Sequence, residues 1–387
     1  MLEILAKNTT NNIYEKEGIY MKIICDGADL SDAVLKVSKG TSNKTTNPIL
    51  EGIKVVAEED FVTLSATDLE LSIEKTIRGM VQIEGEMVVP GKFFCEYIKK
   101  LNNEQIELSL DEKSVLSIKY TDSVGKIQCL NASEFPQIKQ LDDSDYFEMN
   151  EKDLKALISK SIYAVATEDV RPILKGVKLE VTDNTITAVA LDGYRLAVVK
   201  KTVVGASGNL SCIVPARSLN EISKLLGDED KVIRVNVGKN FMMVDIDNTK
   251  LTTRLLEGDF INYKQIIPTE FNTHLVLNKD QLLDGLERAS LLSRVDRNNL
   301  VKFEIVDKVM KLSSKSEIGD IKENITISLR GNDLNIAFNA RYFTEALRAV
   351  TDEFLKLEFT SSVSPCIIQP NEGDEFLYLI LPVRIMN

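Results

Sequence analysis

Tryptophan is absent from this chain and histidine occurs once, at His274, so neither an HExxH pair nor any other histidine-based metal cluster can be assembled. His274 reads as a surface residue. The five cysteines (25, 95, 129, 212 and 366) lie far apart with no CxxC pair, and read as small buried residues in a reducing compartment. No apolar run approaches the roughly 18 residues a membrane span needs. The opening "MLEILAKNTTNNIYEKEGIY" has no basic stretch leading into an apolar one, so it does not read as a signal peptide. The expected location is the cytoplasm, with no membrane partner. Neither GxxxxGK[ST] nor a strand–helix GxGxxG occurs, and "GASGN" (205–209) lacks the spacing of a nucleophile elbow. No carboxylate pair has a spacing that marks an acid–base couple. An enzyme is left without support, and no cofactor or metal is expected. Cations too are in short supply: Lys and Arg number 47 against 59 Asp and Glu, a net charge of −12 that on its face argues against nucleic acid.

What the chain does have is internal repetition. With 387 residues it has room for two or three domains, and an apolar content of 44% fills a core in each. "VVPGKFFCEYIKKL" (88–101), "IVPARSLNEISKLL" (213–226) and "AFNARYFTEALRAV" (337–350) share one pattern: an apolar strand end, then basic, three residues, Glu, two residues, basic. The triplets are Lys92-Glu96-Lys99, Arg217-Glu221-Lys224 and Arg341-Glu345-Arg348. "ADLSDAVLKVSK" (28–39), "KDLKALISKSIY" (152–163) and "DQLLDGLERASL" (280–291) align on Leu30, Leu154 and Leu282, each with a basic residue six positions on: Lys36, Lys160 and Arg288. "SATDLELSI" (65–73) is echoed by "ALDGYRLAV" (190–198), and "SEFPQIKQL" (133–141) by "GDFINYKQI" (258–266). The period is about 124 residues, which predicts three tandem domains. Their expected bounds are 21–143, 144–270 and 271–387, with 1–20 as an N-terminal extension of undetermined order.

At 100° per residue, Lys92, Glu96 and Lys99 fall on one arc of a helix, with Phe94, Ile98 and Leu101 opposite. The same division holds for Leu219, Ile222 and Leu226 and for Phe343, Leu347 and Val350; in the first helix Leu30, Ala33, Val34 and Val37 oppose Lys36 and Lys39. The runs 54–67, 177–191 and 355–370 are β-rich and broken by turn residues. Each copy is therefore α+β, two helices on antiparallel sheet. For any one helix, a basic stripe is most simply a solvated face with i,i+4 pairs. Six helices repeating it in an acidic protein, with anions gathered elsewhere (Glu58, Glu59 and Asp60; Asp142, Asp143 and Asp145), point instead to a surface that holds a polyanion by its phosphates.

Asp192-Gly193 alone signals a hairpin or a bulge. Taken with "LDGYRLA" (191–197), "FINY" (260–263) and the ending "LPVRI" (381–385), it gives a chain that resembles the bacterial DNA polymerase III beta subunit family, the sliding clamps. Those segments stand where that family has TDG[HY]RLA, FPDY and MPMRL, and the resemblance runs from 21 to 387. It implies a head-to-tail homodimer of three-domain protomers closing a ring around double-stranded DNA without regard to its sequence. The ring would be a non-catalytic subunit of a nucleotidyltransferase, the DNA-directed DNA polymerase with its 3'-5' exonuclease. Partners implied are the polymerase alpha subunit, the clamp loader and other proteins with clamp-binding motifs. By the resemblance, one wall of a peptide pocket is Leu174, Leu191, Gly193, Tyr194, Arg195, Leu196, Ile261 and Ile266; the rest is Asn339, Tyr342, Val363, Pro365, Leu379, Leu381, Pro382, Val383 and Arg384. Lys44, Lys92, Arg171 and Arg217 match basic positions of the hole; the helix stripes add Lys36, Lys99, Lys160, Lys224, Arg288, Arg341 and Arg348.

The chain departs from the pattern at Leu191 (usually threonine), Ile261 (proline), Gln265 (often basic) and Val383 (methionine). Pro172 and Ile173 stand where some relatives have aromatic rings, and Met386-Asn387 run past the usual end. These differences leave open a second reading, a clamp-like paralogue serving as a protein-interaction scaffold. A third, an α+β hydrolase using a carboxylate pair, has only the acidic residues behind it.

Overall fold

The protein is described here by a computed structural model covering residues 18–42, 45–101, 103–141, 144–168, 171–295 and 299–384, without the side chains of 294 and 295. Lys44, Asp142, Asp143, Met386, Asn387 and nearly all of the N-terminal extension lie outside the described residues. The first strand, Ile19–Asp26, begins two residues ahead of Met21, where the first domain was expected to start.

Among the described residues the α-helices are α1 (Gly27–Val37), α2 (Gly91–Ile98), α3 (Glu151–Ser161), α4 (Ala216–Leu225), α5 (Lys279–Val295) and α6 (Ala340–Arg348). Each starts where a strand stops. The Asp26 carboxylate caps α1 by accepting from the Ala28 and Asp29 amides at 2.9 and 3.2 Å, and the Asn339 side chain caps α6 by accepting from the Arg341 amide at 3.0 Å. Pro90 and Pro215 precede α2 and α4, their fixed φ setting the angle of entry. The expected apolar stripes are all buried: Leu30, Ala33, Val34 and Val37; Phe94, Ile98 and Leu101; Leu219, Ile222 and Leu226; Phe343, Leu347 and Val350. At about 1.5–3 kcal/mol for each large side chain withdrawn from water, these stripes hold the helices on the sheets.

The chain forms two compact units. The first comprises the residues up to Ser144 together with Arg234–Arg254. Its strands are antiparallel, as expected, and divide between two sheets. One has the order Met80–Ile83, Ile19–Asp26, Gln105–Asp111, Val115–Tyr120 and Ser123–Gln128. The other runs Phe241–Ile246, Thr249–Arg254, Leu71–Arg78, Phe61–Thr67, Gly52–Glu58 and Gly85–Pro90. Helix α1 lies on 71–78 and 61–67, and α2 packs on α1 and on 52–58 and 85–90.

The second unit holds a twelve-stranded sheet. Within it Arg195–Thr202 pairs with Thr185–Leu191 on one side and with Phe376–Ile380 on the other. One flank continues through Gly176–Thr182 to Leu210–Pro215. The other passes through Cys366–Pro370, Phe354–Phe359, Thr273–Asn278, Gly319–Gly331, Val309–Ser316 and Leu300–Val306 to Leu334–Asn339. Helix α3 covers 185–202, α5 covers 300–331, and α4 and α6 pack on α3 and α5 respectively. Beneath α6, Phe303, Phe338 and Phe343 pack with ring centroids 4.8 to 5.2 Å apart. Gly331 is required where it stands: φ is +101°, and a Cβ would meet the Asn272 carbonyl oxygen at 2.1 Å.

Candidate functional site

Asp192-Gly193 closes a hairpin, with Leu191 directly opposite Leu196. The Asp192 carboxylate accepts from the amides of Tyr194 (2.9 Å) and Arg195 (3.1 Å), and Gly193 takes a φ of +93° with open space where a Cβ would point. Alternation along the strand then sends Leu196 to one face of the sheet and Arg195 to the other.

On the Leu196 face, Leu174, Val189, Leu191, Leu196, Val198, Tyr263, Ile367 and Leu379 form one buried cluster, with Ile173, Phe260, Ile261 and Ile267 packed against it. Strand pairing places Leu196 against Leu379, and Leu379 against Ile367. Five residues expected at the pocket, Leu174, Leu191, Leu196, Ile261 and Leu379, are thus brought together. Tyr263 pins the covering segment: its hydroxyl donates to Glu180 at 3.1 Å, and Lys178 pairs with Glu180 at 2.8 Å. Burial and the adjacent Glu180 charge push the Tyr263 hydroxyl up to about 12.

Other expected residues stand outside the cluster. Tyr194 is exposed and stacks on Tyr342 at 5.9 Å, and its carbonyl accepts from the Leu381 amide at 2.9 Å. The Val383 amide donates to Ala337 at 2.8 Å, so the segment after the last strand is held at both ends. Ile266, Val363, Leu381 and Val383 are large apolar side chains left exposed, Arg384 is exposed, and Pro365 and Pro382 are half-buried. Asn339 is occupied in capping α6.

Arg195, expected at the pocket, lies behind its outer residues, against Tyr342. Its side chain is only 5% exposed and lies on the helix side of the sheet. It donates to Asp192 at 3.0 Å and to Glu345 of α6, with the guanidinium 5.3 Å from the Tyr163 ring centre and 4.8 Å from that of Tyr342. Glu345 also accepts from Arg341 at 2.7 Å. Burial alone raises the Glu345 carboxyl, but the bonds from Arg341 and Arg195 outweigh it and hold it below its ordinary value. Tyr163, Glu345 and Tyr263 are site residues the sequence reading missed. Tyr263 lies inside the quoted "FINY", Glu345 inside the repeated triplet and Tyr163 at the end of the repeated segment 152–163, so each had a signal.

The cationic helix faces are real but mostly charge-paired. Lys36 bonds Asp32 at 2.8 Å, Lys224 bonds Glu221 at 2.7 Å, and Arg348 bonds Glu287 at 2.7 Å. Arg288 makes two bonds of 2.9 Å to Glu323, and Arg341 holds Glu345. Exposed pairs of this kind contribute about 0–1 kcal/mol, so they hold these cations only weakly. Lys92, Lys99, Arg171 and Arg217 are exposed. The Lys160 side chain is 12% exposed, 4.0 Å from Glu375 and 5.4 Å from the centre of the Phe376 ring. His274, expected at the surface, is half-buried, with Nδ1 2.9 Å from Glu358. The five cysteines are free, and burial pushes the Cys25 and Cys212 thiols up to about 12. Among the described residues no helix is long and apolar enough to cross a membrane.

Comparison with known proteins bears on this geometry. Residues 21–139, 148–262 and 264–384 match the family models of the DNA polymerase III beta subunit N-terminal, central and C-terminal domains. The chain is 34% identical over 378 residues to a beta sliding clamp of Halalkalibacterium halodurans, covering 94% of this chain and all of the relative. It is also 34% identical to one from Staphylococcus epidermidis, over 89% of this chain and 94% of that one. The crystal structure of a DNA polymerase sliding clamp from Bacillus subtilis superposes with a TM-score of 0.92 at 30% identity, covering 95% of this chain and all of that one.

Proposed function

The chain belongs to the DNA polymerase III beta subunit family and is a DNA sliding clamp, built from three tandem clamp domains, and from that premise we propose how its parts do the work. Two protomers close head to tail into a ring around duplex DNA in the cytoplasm. The basic residues Lys36, Lys92, Lys99, Arg171, Arg217, Lys224, Arg288, Arg341 and Arg348, on the helices and the segments beside them, touch its phosphates, and Lys44, outside the described residues, is assigned the same role by its place in the sequence. Closure keeps the protein on DNA by topology, so each phosphate contact can be weak, salt-sensitive and mobile. An acidic protein of net charge −12 is compatible with that arrangement.

One observation carries the ring. Thr249–Arg254, the last strand of the second copy, pairs with Leu71–Arg78, and Phe376–Ile380, the last strand of the third, pairs with Arg195–Thr202 at the equivalent register. Ser123–Gln128, the last strand of the first copy, is an edge strand. Residues 319–326, equivalent to 71–78 and 195–202, pair on one side only among the described residues. Unpaired edges invite a strand from another chain. The repeated register sets Ser123 of one protomer opposite Glu323 of the second, and Lys126 opposite Asp320, an ion pair across the seam. Exposed Leu291 stands where Tyr163 packs in the second copy, and exposed Phe93 where Tyr342 does. Two such seams close the ring.

The groove over Leu174, Leu191, Leu196, Ile261 and Leu379 takes leucine and phenylalanine side chains of an extended peptide. Tyr194, Ile266, Tyr342, Val363, Pro365, Leu381, Pro382, Val383 and Arg384 supply its outer contacts. Through it the clamp tethers the polymerase alpha subunit, the clamp loader and other motif-bearing proteins. The protein itself does no chemistry; the polymerase it serves is the nucleotidyltransferase. The decisive experiment loads the clamp on circular DNA and then linearises the DNA. Retention on the circle and loss from the cut form are expected, together with a solution mass of two protomers. Equal loss from both forms defeats the proposal.

A further inference from the structure

Between α5 and α6 lies a cleft of about 270 Å³ lined by Ser290, Asn299, Arg341, Thr344, Glu345 and Arg348. Two arginines two helical turns apart on one face make it a receptor for an oxyanion, and Glu345 is the carboxylate that occupies it. That carboxylate is shared. One oxygen accepts from Arg341 Nε at 2.7 Å, and the other accepts from Arg195 at the base of the 192–196 turn.

The two cations differ in freedom: Arg341 is 62% exposed and Arg195 5%. An arriving phosphate can draw off Arg341, and Arg348 with it, since the latter's hold on Glu287 is also at the surface. Arg195 cannot leave. We infer that a backbone phosphate of the encircled duplex seats in this cleft and that its arrival is transmitted to the peptide groove through Glu345; the inference rests on the clamp reading above. With Arg341 withdrawn, Glu345 has Arg195 as its remaining close cation and both oxygens to offer it. The guanidinium is then held harder between Glu345 and Asp192. The Tyr342 ring covers Arg195 at 4.8 Å and stacks on exposed Tyr194 at 5.9 Å, so the ordering reaches the outer wall of the groove. Duplex therefore tightens peptide binding, and by linkage peptide tightens duplex binding by the same factor.

The test is the affinity of the dimeric protein for a labelled extended peptide bearing leucine and phenylalanine, with and without a saturating short duplex. In the wild-type protein duplex tightens the peptide about fivefold, the lower end of ordinary coupling. Glu345→Gln and Arg341→Gln each bring that ratio to one while still binding peptide. Arg348→Gln weakens duplex binding but keeps the ratio once duplex is saturating, which a purely structural role for the cluster does not produce. A ratio of one in the wild type with both ligands bound overturns the inference and leaves the clamp reading intact. So does a fivefold ratio that survives in both Glu345→Gln and Arg341→Gln. A wild-type protein that binds neither duplex nor peptide takes down both.

Discussion

In the first unit the Asp68 carboxylate accepts from the amides of Glu70 and Leu71 at 3.0 and 2.8 Å; in the second, Asp192 accepts from Tyr194 and Arg195 at 2.9 and 3.1 Å. The backbone after each is left-handed, with Leu69 at a φ of 75° and Gly193 at 93°. The residues around this common frame differ. Thr67 and Ser72, facing each other across the first turn, join hydroxyls at 2.8 Å, whereas Leu191 and Leu196 face each other across the second. Buried Leu71 in the first is buried Arg195 in the second. One aspartate thus sets the shape of both turns. An apolar pair, a buried arginine and an exposed tyrosine set the second apart, and it is the second that the proposed function assigns to peptide binding.

The comparison breaks most sharply at Arg195. Giving it the first turn's residue, Arg195→Leu, strands the largely buried Asp192 without its cation, leaves Glu345 with Arg341 alone and costs about 3–5 kcal/mol in urea unfolding. A loss under about 1 kcal/mol would falsify the account of the buried network. Next is Leu196→Ala, which empties the floor of the groove. It costs about 3 kcal/mol by cavity formation and abolishes peptide binding while the protein stays dimeric; undiminished peptide affinity shows the groove to be elsewhere. The smallest effect sharpens the likeness. Gly193→Ala has room for its methyl but not the right φ and costs about 1 kcal/mol, read from the unfolding midpoint, while Leu69→Gly relieves the same strain in the first turn.

Much of this was legible in the residues. The helix faces followed from the spacing of Leu30, Phe94, Leu219 and Phe343, and the hairpin from Asp192-Gly193, because both are matters of neighbours a few positions apart. The apolar floor was reached only through resemblance, since Leu174, Leu196 and Leu379 are unremarkable leucines until pairing joins them. For Lys160, a place on a helical arc says where the Cβ points, and not where a long side chain ends. Its ammonium folds onto Phe376 and Glu375, which arrive from the far end of the chain.

The threefold repeat, the buried stripe of each helix and the shape of the turn follow from the residues alone. All three are written in short-range periodicity and in the hydrogen-bonding reach of an aspartate. That Arg195 is a buried strut between Asp192 and Glu345, and that Glu345 serves two cations at once, is visible in the folded protein alone. Arg195 and Glu345 are 150 residues apart, as Tyr378 is 218 residues from the Lys160 carbonyl it bonds. Contacts across such distances depend on how strands are ordered in the sheet, which no local pattern records.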